Sequence, residues 1–259
     1  MRWLWNGITY GQAVNHRYRP LENQVKIAVI PARGGSKRLP RKNLLPFCGE
    51  PVICYPIRAA LESDLFDRVI VSTDDEEIAE RAEYFGAEVP FIRPKALADD
   101  YTGTGPVVRH AIEWLEQKGH EITATCCIYP TAVFVTPQLI QRGWDMLERG
   151  DYPYVFTATA FEFPIQRAVT LGPDGEAKVI DRKSFAKRSQ DLEEAFHDAG
   201  QFYWGKGDAF RGLPLNGNSQ ALKVSRWLAQ DIDTHDDFKF AEMLYRINKH
   251  ESNADEHSD

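Results

Sequence analysis

Cysteine is scarce in this chain, and its spacing excludes the common cysteine-based sites. The four cysteines are Cys48, Cys54, Cys126 and Cys127, and no pair has the CxxC spacing of zinc and redox motifs. Cys126 and Cys127 are adjacent, so in a strand their side chains point to opposite faces of the sheet. We interpret all four as small, mostly buried residues and expect them to be free thiols.

Long apolar runs are missing from the N-terminal region. Trp3, Asn6, Gly7, Gln12 and His16 interrupt the apolar stretches there, so neither the core of a signal peptide nor a membrane span can form. We therefore expect a cytoplasmic protein with no membrane partner. A basic excess is missing as well, since the formal net charge is -7. Because binding to a phosphate backbone needs a basic face, nucleic acid is not an expected partner.

The length allows one substantial core with a small inserted subdomain beside it. The chain has 259 residues, of which 43% are apolar. Residues 1–24 show no helical or strand period and are interpreted as an N-terminal extension of unknown role. The main domain is predicted over residues 25–249, with an insertion at about residues 163–199, and the polar residues 250–259 are expected to be disordered.

Buried strand patterns alternate with helical patterns along the main domain. The strands are predicted at Val25–Ile30, Val69–Ser72, Val89–Ile92, Thr123–Tyr129, Tyr154–Phe161, Gln201–Trp204 and Ala221–Val224. The helices are predicted at Ile53–Leu61, Glu76–Phe85, from Thr104 through Leu115, at Pro137–Arg149 and from Thr234 through Asn248. This alternation predicts an α/β fold of Rossmann-like type, with an open, mostly parallel sheet and helices on both faces.

Capping residues mark several of the helix starts. Asp74 or Asp75 is expected to cap the second helix, Thr104 the third, and Thr234 the last. In the same way, Thr136 precedes the proline that opens the fourth helix.

The alternation breaks between Phe163 and Ala199. Ala168–Leu171 and Ala177–Ile180 flank a Gly-Pro-Asp-Gly turn and predict a hairpin, which a charged stretch follows. A hairpin that leaves the main sheet exposes edges and apolar side chains that need cover. We therefore expect this insertion to form the contact of a homodimer.

The strongest local signal is the segment PARGGSKRLPRKN, directly after the first predicted strand. From Arg33 to Lys42 it holds five cations and no acid. A nucleoside triphosphate brings roughly four negative charges, and glycine lets backbone amides approach its oxygens. The Walker pattern GxxxxGK[ST] is absent, and Pro40 prevents a helix from starting after the lysine. The segment predicts a loop that wraps phosphates at a strand's carboxyl end, and the alternative is a solvated basic turn.

An acidic pair stands near the C-terminus in the segment QDIDT. In extended chain the spacing places Asp231 and Asp233 on one face, while Ile232 points into the core. Two carboxylates on one face can hold Mg²⁺, which neutralises phosphate charge as pyrophosphate leaves. The alternative is that these acids and Thr234 serve only as the start of the last helix.

Several blocks resemble one enzyme family in the same order along the chain. IPARGGSKRLPRKNL, VIVSTDDEEIAERAEYFGAEVPFIRP and QDIDT resemble the sialic-acid cytidylyltransferases, over about residues 25–245. LADDYTGTGPVVRHAI, CCIYPTAVF, FEFPIQRAV, RSQDL and FHDAGQFYWG resemble the branch of that family that acts on pseudaminic acid. The resemblance implies the nucleotide-diphospho-sugar transferase fold and a partner chain that reaches towards the sugar site.

The resemblance also implies a set of nucleotide and catalytic residues. The nucleotide is expected to contact Arg33, Gly35, Ser36, Lys37, Asn43, Arg93 and Thr104. Lys37, Arg33 and Asp231 are the expected catalytic residues, although the residue that takes the sugar's proton is left open. For Arg93 alone, without the block around it, an ordinary surface charge would be the simpler interpretation.

An acidic nine-carbon keto-sugar needs a cation for its carboxylate and polar partners for its amides and hydroxyls. The candidates are Tyr129, Gln166, Arg167, Arg188, His197, Gln201 and Tyr203. His197 can equally be a hydrogen-bonded core histidine. Relatives that use sialic acid itself carry glutamine at the position of Tyr129 and an Asn-Gly segment at Asp198-Ala-Gly200. These departures argue against N-acetylneuraminic acid as the substrate.

The expected reaction transfers CMP from CTP to the anomeric hydroxyl of pseudaminic acid, for bacterial surface or flagellar glycosylation. The same reaction on legionaminic, N-acetylneuraminic or deoxy-octulosonic acid is the nearest alternative. A catalytically silent scaffold of the same fold is the alternative outside the enzymes. It would be indicated by loss of the loop lysine or the acidic pair, and both are present.

Overall fold

The computed structural model describes residues 24–211 and 217–255. The predicted N-terminal extension lies outside the described residues except for residue 24, as do residues 256–259 of the predicted tail. No helix in the described part of the chain is long and apolar enough to cross a membrane.

Ten strands and six α-helices make up the described fold. The strands are β1 (Gln24–Pro31), β2 (Pro46–Phe47), β3 (Glu50–Pro51), β4 (Arg68–Ser72), β5 (Glu121–Ile128), β6 (Tyr154–Ala160), β7 (Val169–Leu171), β8 (Ala177–Val179), β9 (Phe196–Lys206) and β10 (Ser219–Lys223). The helices are α1 (Cys54–Glu62), α2 (Glu76–Tyr84), α3 (Thr104–Glu116), α4 (Pro137–Arg149), α5 (Arg182–Phe185) and α6 (His235–Asp255).

Six strands form the central sheet in the order β10-β6-β9-β5-β1-β4. β1 pairs in parallel with β4 and β5, and β6 pairs in parallel with β10. Among these six strands, β9 is antiparallel to both of its neighbours. The predicted open, mostly parallel sheet is confirmed, and β9 begins at the edge where the parallel strands end.

Helices cover both faces of the sheet because strand side chains alternate between two apolar cores. On β1, Ile30 packs in the cluster that α1, α2 and α4 cover, whereas Val29 packs in the cluster that α3 covers. Cys126 and Cys127 divide between the two clusters in the same way. All four cysteines are free thiols, as predicted.

A third core lies under α6 and anchors two segments of the site. Leu39, from the loop after β1, is fully buried there with Phe47 and Ile232. Because Ile232 points into this core, the carboxylates that flank it stay outside, as the alternation predicted.

Side chains cap the starts of α2, as predicted, and of α4. Asp75, rather than Asp74, caps α2, and its carboxylate accepts a hydrogen bond from the Ile78 amide at 3.0 Å. Thr136 caps α4 by accepting from the Leu139 amide at 3.2 Å. Each cap satisfies a backbone donor that the first helical turn leaves unpaired.

The prediction that Thr104 caps α3 is wrong. Gly103 is the N-cap residue, and Thr104 is the first residue of the helix. This start places Pro106 in the first turn, where its missing amide proton is not needed. The Thr104 hydroxyl instead approaches the Tyr129 hydroxyl at 3.5 Å.

The last helix is longer than predicted. The Thr234 hydroxyl accepts from the Asp237 amide at 3.2 Å, which confirms Thr234 as a capping residue. α6 continues to Asp255 instead of ending at Asn248, because neither glycine nor proline interrupts the chain there. Residues 250–255, part of the predicted tail, are helical in the described structure.

The predicted strand at Val89–Ile92 is reduced to two isolated parallel bridges, Ile70 with Glu88 and Thr73 with Ile92. Pro90 lies between the bridges and lacks the amide proton that a regular ladder needs. The segment nevertheless brings Arg93 to the carboxyl end of β4, where its amide donates to the Thr73 carbonyl at 2.7 Å.

The insertion leaves the sheet between β6 and β9. Its hairpin, β7 paired with β8, is confirmed as predicted. β9 starts at Phe196, earlier than predicted, because its pairing with Ala160 of β6 begins there. Large apolar side chains of the insertion are exposed, namely Phe163, Ile165, Leu171, Ile180 and Phe185.

Candidate active site

Most of the predicted site residues gather at one edge of the sheet. The parallel strands β1, β4, β5 and β6 end at this edge, and β9 begins there. Ligands of open α/β sheets bind in the crevice outside the carboxyl ends of the strands.

The loop after β1 is held by short polar contacts. The Gly34 amide donates to the Asp74 carboxylate at 2.9 Å, and the side-chain amide of Asn43 donates to the Arg33 carbonyl at 3.0 Å. A Cβ atom on Gly34 would lie 2.7 Å from a carboxylate oxygen of Asp75, so glycine is required at this close approach. Gly35 has no neighbour within 4 Å of such an atom and faces open space.

Ser36 and Asn43 of this loop each have a polar group that a ligand can contact. The Ser36 amide donates to the Gly34 carbonyl at 3.0 Å, so in this conformation the Ser36 hydroxyl is its remaining donor. Asn43 is buried, and its side-chain oxygen has no hydrogen-bond partner among the described residues. A buried acceptor without a partner is costly, which makes Asn43 a suitable contact for a ligand donor.

All five cations of the loop form ion pairs with acids from other segments. Arg33 and Lys37 pair with Asp100, Arg38 and Lys42 pair with Asp233, and Arg41 pairs with Asp75 and Glu77. The loop is therefore tied to three acidic segments, while Lys37 and Arg38 remain largely exposed to solvent.

Asp100 pairs with Arg33 and Lys37, the two cations that the sequence analysis expected to contact the nucleotide. Arg33 donates to it at 2.9 Å, and Lys37 contacts its other oxygen. These hydrogen bonds, with that of Lys37 first, lower the pKa of Asp100. Lys37 keeps 80% of its side chain exposed, so a phosphate can reach it.

Arg93 is a buried cation, with 4% of its surface exposed. Its guanidinium donates to the Ser72 hydroxyl at 3.1 Å and to the Ser72 carbonyl, and it forms no ion pair among the described residues. Burial lowers the pKa of Arg93 to about 10, and the Asp74 carboxylate opposes that effect in part. The interpretation of Arg93 as an ordinary surface charge is therefore wrong.

The acidic pair lies beside the loop after β1. Lys42 donates to Asp233 at 3.0 Å and to the Ile232 carbonyl at 2.7 Å, and Arg38 lies 2.6 Å from the other oxygen of Asp233. The Asp231 carboxylate forms no ion pair among the described residues, although the charge of Lys42 acts on it. Protein atoms around Asp231 reduce its hydration and, with the charge of Asp233, raise its pKa.

The acidic pair suits a metal that a nucleotide helps to hold. The described residues contain no group of three or more histidine, cysteine, aspartate or glutamate side chains that could enclose an ion. Mg²⁺ needs no such cage, since it is commonly bound by one or two carboxylates together with substrate phosphates and water. Asp231 and Asp233 fit that donor set, with Asp233 exchanging the ion pair to Arg38.

Two tyrosines and a glutamine line the middle of the edge. The rings of Tyr129 and Tyr203 lie 5.3 Å apart, and the Tyr129 amide donates to the Gln201 carbonyl at 2.8 Å. Burial raises the pKa of both tyrosines, which therefore remain protonated. The side-chain oxygen of Gln201 is buried without a described partner, while its nitrogen donates to the Leu228 carbonyl.

His197 lies at the start of β9 and is exposed. One ring nitrogen lies 2.8 Å from the Asp198 carbonyl, and the ring packs edge-on against Phe161 at 4.9 Å between centroids. The alternative of a core histidine is therefore wrong, since the His197 side chain is exposed.

The remaining sugar candidates lie in the insertion and bond within it. Gln166 donates to the Glu193 carbonyl at 2.9 Å, and Arg167 donates to the Lys187 carbonyl. Arg188 precedes a short 3-10 helix at Ser189–Asp191. No described contact joins these three side chains to the tyrosines or to the loop after β1.

The sequence analysis missed several residues that the fold brings into this site. They are Arg38, Lys42, Asp74, Asp100 and Asp198. The two cations were visible in the loop, and Asp100 and Asp198 were visible in the LADDYTGTG and HDAGQ blocks. Their partners lie far away in sequence, so no local spacing could assign them.

Comparison with known proteins identifies the family. The sequence profile of the cytidylyltransferase family matches residues 27–207. A pseudaminic acid cytidylyltransferase of Campylobacter jejuni serotype O:2 is 42% identical over 228 residues, which are 87% of this chain and 98% of that protein. A bifunctional Helicobacter pylori protein, a pseudaminic acid cytidylyltransferase and UDP-2,4-diacetamido-2,4,6-trideoxy-beta-L-altropyranose hydrolase, is 35% identical over 80% of this chain and 40% of its own length.

A solved structure of similar fold is a CMP:2-keto-3-deoxy-manno-octonic acid synthetase complexed with CTP. It aligns with a TM-score of 0.62 and 18% sequence identity, over 86% of this chain and 99% of that chain. At this identity the likeness supports the fold alone, and the family rests on the profile and on the relatives in sequence. The chain belongs to the cytidylyltransferase family and is a nucleotidyltransferase.

Proposed function

We propose that this enzyme transfers CMP from CTP to the anomeric hydroxyl of pseudaminic acid, giving CMP-pseudaminic acid and pyrophosphate. The observation that carries this proposal is the 42% identity with a pseudaminic acid cytidylyltransferase over 98% of that relative. The blocks of this chain that resemble the pseudaminic acid branch lie together at the carboxyl edge of the sheet, around Tyr129 and from His197 to Tyr203.

In the proposed reaction the anomeric oxygen forms a bond to the α-phosphorus of CTP. The bond between the α-phosphorus and the oxygen that bridges to the β-phosphate breaks, and pyrophosphate leaves. Lys37 and Arg33, released from Asp100, neutralise the charge that develops on the phosphates. The hydroxyl proton is released to water, and Asp231 contributes by holding Mg²⁺ together with Asp233.

The nucleotide is proposed to contact polar groups on both sides of the loop. Gly35 allows close approach of the phosphates, and the Ser36 hydroxyl donates to them. The unpaired oxygen of Asn43 accepts from the nucleoside, while Arg93, beside the end of β4, and Thr104, at the start of α3, close over it. Mg²⁺ held by Asp231 and Asp233 would supply further charge neutralisation at the phosphates when bound.

The sugar is proposed to lie between the two tyrosines and the start of β9. Tyr129, Tyr203, His197 and Gln201 present hydroxyl, imidazole and amide groups there. The sugar's carboxylate needs a cation, for which Arg167 and Arg188, with Gln166 beside them, are the proposed source. Because these three lie in the insertion, they reach the sugar from a partner chain.

The experiment is a pyrophosphate-release assay with CTP and four keto-sugars: pseudaminic, legionaminic, N-acetylneuraminic and deoxy-octulosonic acid. We expect release that requires both CTP and sugar and is fastest with pseudaminic acid. Release with another sugar as the best substrate would contradict the proposed specificity. No release with any of them would favour a silent scaffold and contradict the proposal.

We also propose that the enzyme is a homodimer built through the insertion. Exposed apolar side chains such as Phe163, Leu171 and Ile180 are concentrated there, and such patches mark interfaces. Light scattering should give twice the chain mass, and Leu171→Glu should yield monomers with lower activity. A fully active wild-type monomer would contradict the dimer.

The proposed setting is the bacterial cytoplasm, where CTP is available. Its activated product would serve glycosylation of the cell surface or of flagella.

A further inference from the structure

β9 is irregular where it crosses the candidate sugar site. Tyr203 lies opposite Phe156 of β6, whereas Asp198 lies opposite Ala158. Residues 199–202 of β9 therefore face Thr157 alone, and the strand bulges. Gly200 has a φ of 62°, a conformation that glycine adopts without strain. Bulges of this kind redirect side chains next to active sites.

The bulge turns the Asp198 carboxylate back onto its own strand. One oxygen accepts from the Tyr203 hydroxyl, and the other accepts from the Gly200 amide at 2.8 Å. Both oxygens are thus held by groups on β9. Because an ionised carboxylate can only accept hydrogen bonds, the Tyr203 proton must point towards Asp198.

A short series of side chains leads on from Tyr203. Its ring lies 5.3 Å from the Tyr129 ring, and the Thr104 hydroxyl lies 3.5 Å from the Tyr129 hydroxyl. Because the Tyr203 proton points towards Asp198, the lone pairs of the Tyr203 oxygen are what this end of the series offers to a ligand.

This series lies beside the proposed reaction centre. A Cβ atom on Gly200 would lie 4.0 Å from the carboxyl carbon of Asp231. Thr104, at the other end, begins α3 on the proposed nucleotide side. Asp198 is an exposed residue, so its side chain is not needed to fill a core.

We propose that Asp198 is a positioning residue for the sugar, which fixes the Tyr203 hydroxyl as an acceptor for an N–H or O–H group of the keto-sugar. This inference rests on the proposed function, because it names how that sugar site selects a donor group. Asp198 acts through Tyr203 and does not touch the reacting atoms.

The test is a double-mutant cycle with Asp198→Ala and Tyr203→Phe, read as kcat/KM for the sugar. We expect Asp198→Ala to lower kcat/KM by about tenfold, mainly through KM for the sugar, with KM for CTP nearly unchanged. In the Tyr203→Phe background the same change should have an effect below about threefold. Asp198→Asn, which keeps an acceptor oxygen, should recover part of the loss. Equal effects in both backgrounds would overturn the inference.

Controls separate this inference from the proposed function. Asp151→Asn removes an exposed carboxylate at the opposite edge of the sheet and should change neither KM. The stabilities of the same four proteins are also measured by urea unfolding. The decrease in the unfolding midpoint of the double variant should be smaller than the sum of the decreases in the two single variants. If no keto-sugar supports pyrophosphate release, the proposed function fails. Additive unfolding midpoints would overturn the Asp198–Tyr203 pairing whether or not the enzyme is active.

Discussion

Replacing Arg93 with methionine should make the protein more stable and much less active. Arg93 is a charged side chain that folding removes from water without giving it a carboxylate partner among the described residues. Such a charge is unfavourable for the fold and is retained where a ligand supplies the missing anion or acceptor.

The magnitude follows from the pKa of Arg93. Burial lowers that pKa from its ordinary value to about 10, which is equivalent to about 3 kcal/mol of destabilisation at neutral pH. Because the folded-state pKa is depressed, the penalty is fully present below about pH 10 and shrinks above it. Loss of the hydrogen bonds to Ser72 offsets roughly 1–2 kcal/mol of the gain. We therefore expect the free energy of unfolding to rise by about 1–2 kcal/mol.

The assay is urea unfolding at pH 7, with and without CTP, alongside pyrophosphate release. CTP should stabilise the wild type and have little effect on Arg93→Met. Arg68→Met is the matched control, since Arg68 lies at the other end of β4 and pairs with Glu88. It should lower stability slightly and leave turnover unchanged. If Arg93→Met were less stable than the wild type yet bound CTP normally, the reasoning would be refuted.

Three further predictions concern the loop after β1 and the acidic pair. Lys37→Ala should lower turnover at least about 100-fold without changing stability, because its charge is exposed; turnover near the wild-type value would contradict its role. Asp231→Asn and Asp233→Asn should each weaken a divalent-dependent activity, and full activity in EDTA would exclude the proposed magnesium. Gly34→Ala should lower the free energy of unfolding by about 1–3 kcal/mol, measured in urea, because the added carbon meets Asp75, whereas Gly35→Ala should fold normally. Equal stabilities of the two glycine variants would contradict that account.

The sheet and most helix starts could be predicted because their signals are local. The alternation of apolar side chains in strands, a capping aspartate and a proline in the first helical turn each depend on only a few neighbouring residues. Thr104 shows the limit of such signals. A capping residue type was present, but the helix began one position earlier, and the Thr104 hydroxyl lies near that of Tyr129 instead.

The contacts that organise the site could not be predicted because they join distant segments. The loop cations were visible as a cluster, but their pairing with Asp100 and Asp233 depends on how the sheet brings three loops together. Burial of Arg93 depends in the same way on Pro90 breaking a strand pattern at the sheet edge. Asp198 became a candidate only through a bulge that a positive φ at Gly200 permits.

The central claim is the choice of sugar, and a competition experiment tests it most directly. Equimolar pseudaminic and N-acetylneuraminic acid are incubated with CTP and one preparation of enzyme, and the two CMP-sugars are quantified by mass spectrometry at low conversion. Wrong stereochemistry leaves buried polar groups such as Gln201 unpaired, at about 1–3 kcal/mol for each group. We predict CMP-pseudaminic acid in at least about a hundredfold excess, since two such mismatches suffice. Equal amounts of the two products would contradict the assignment.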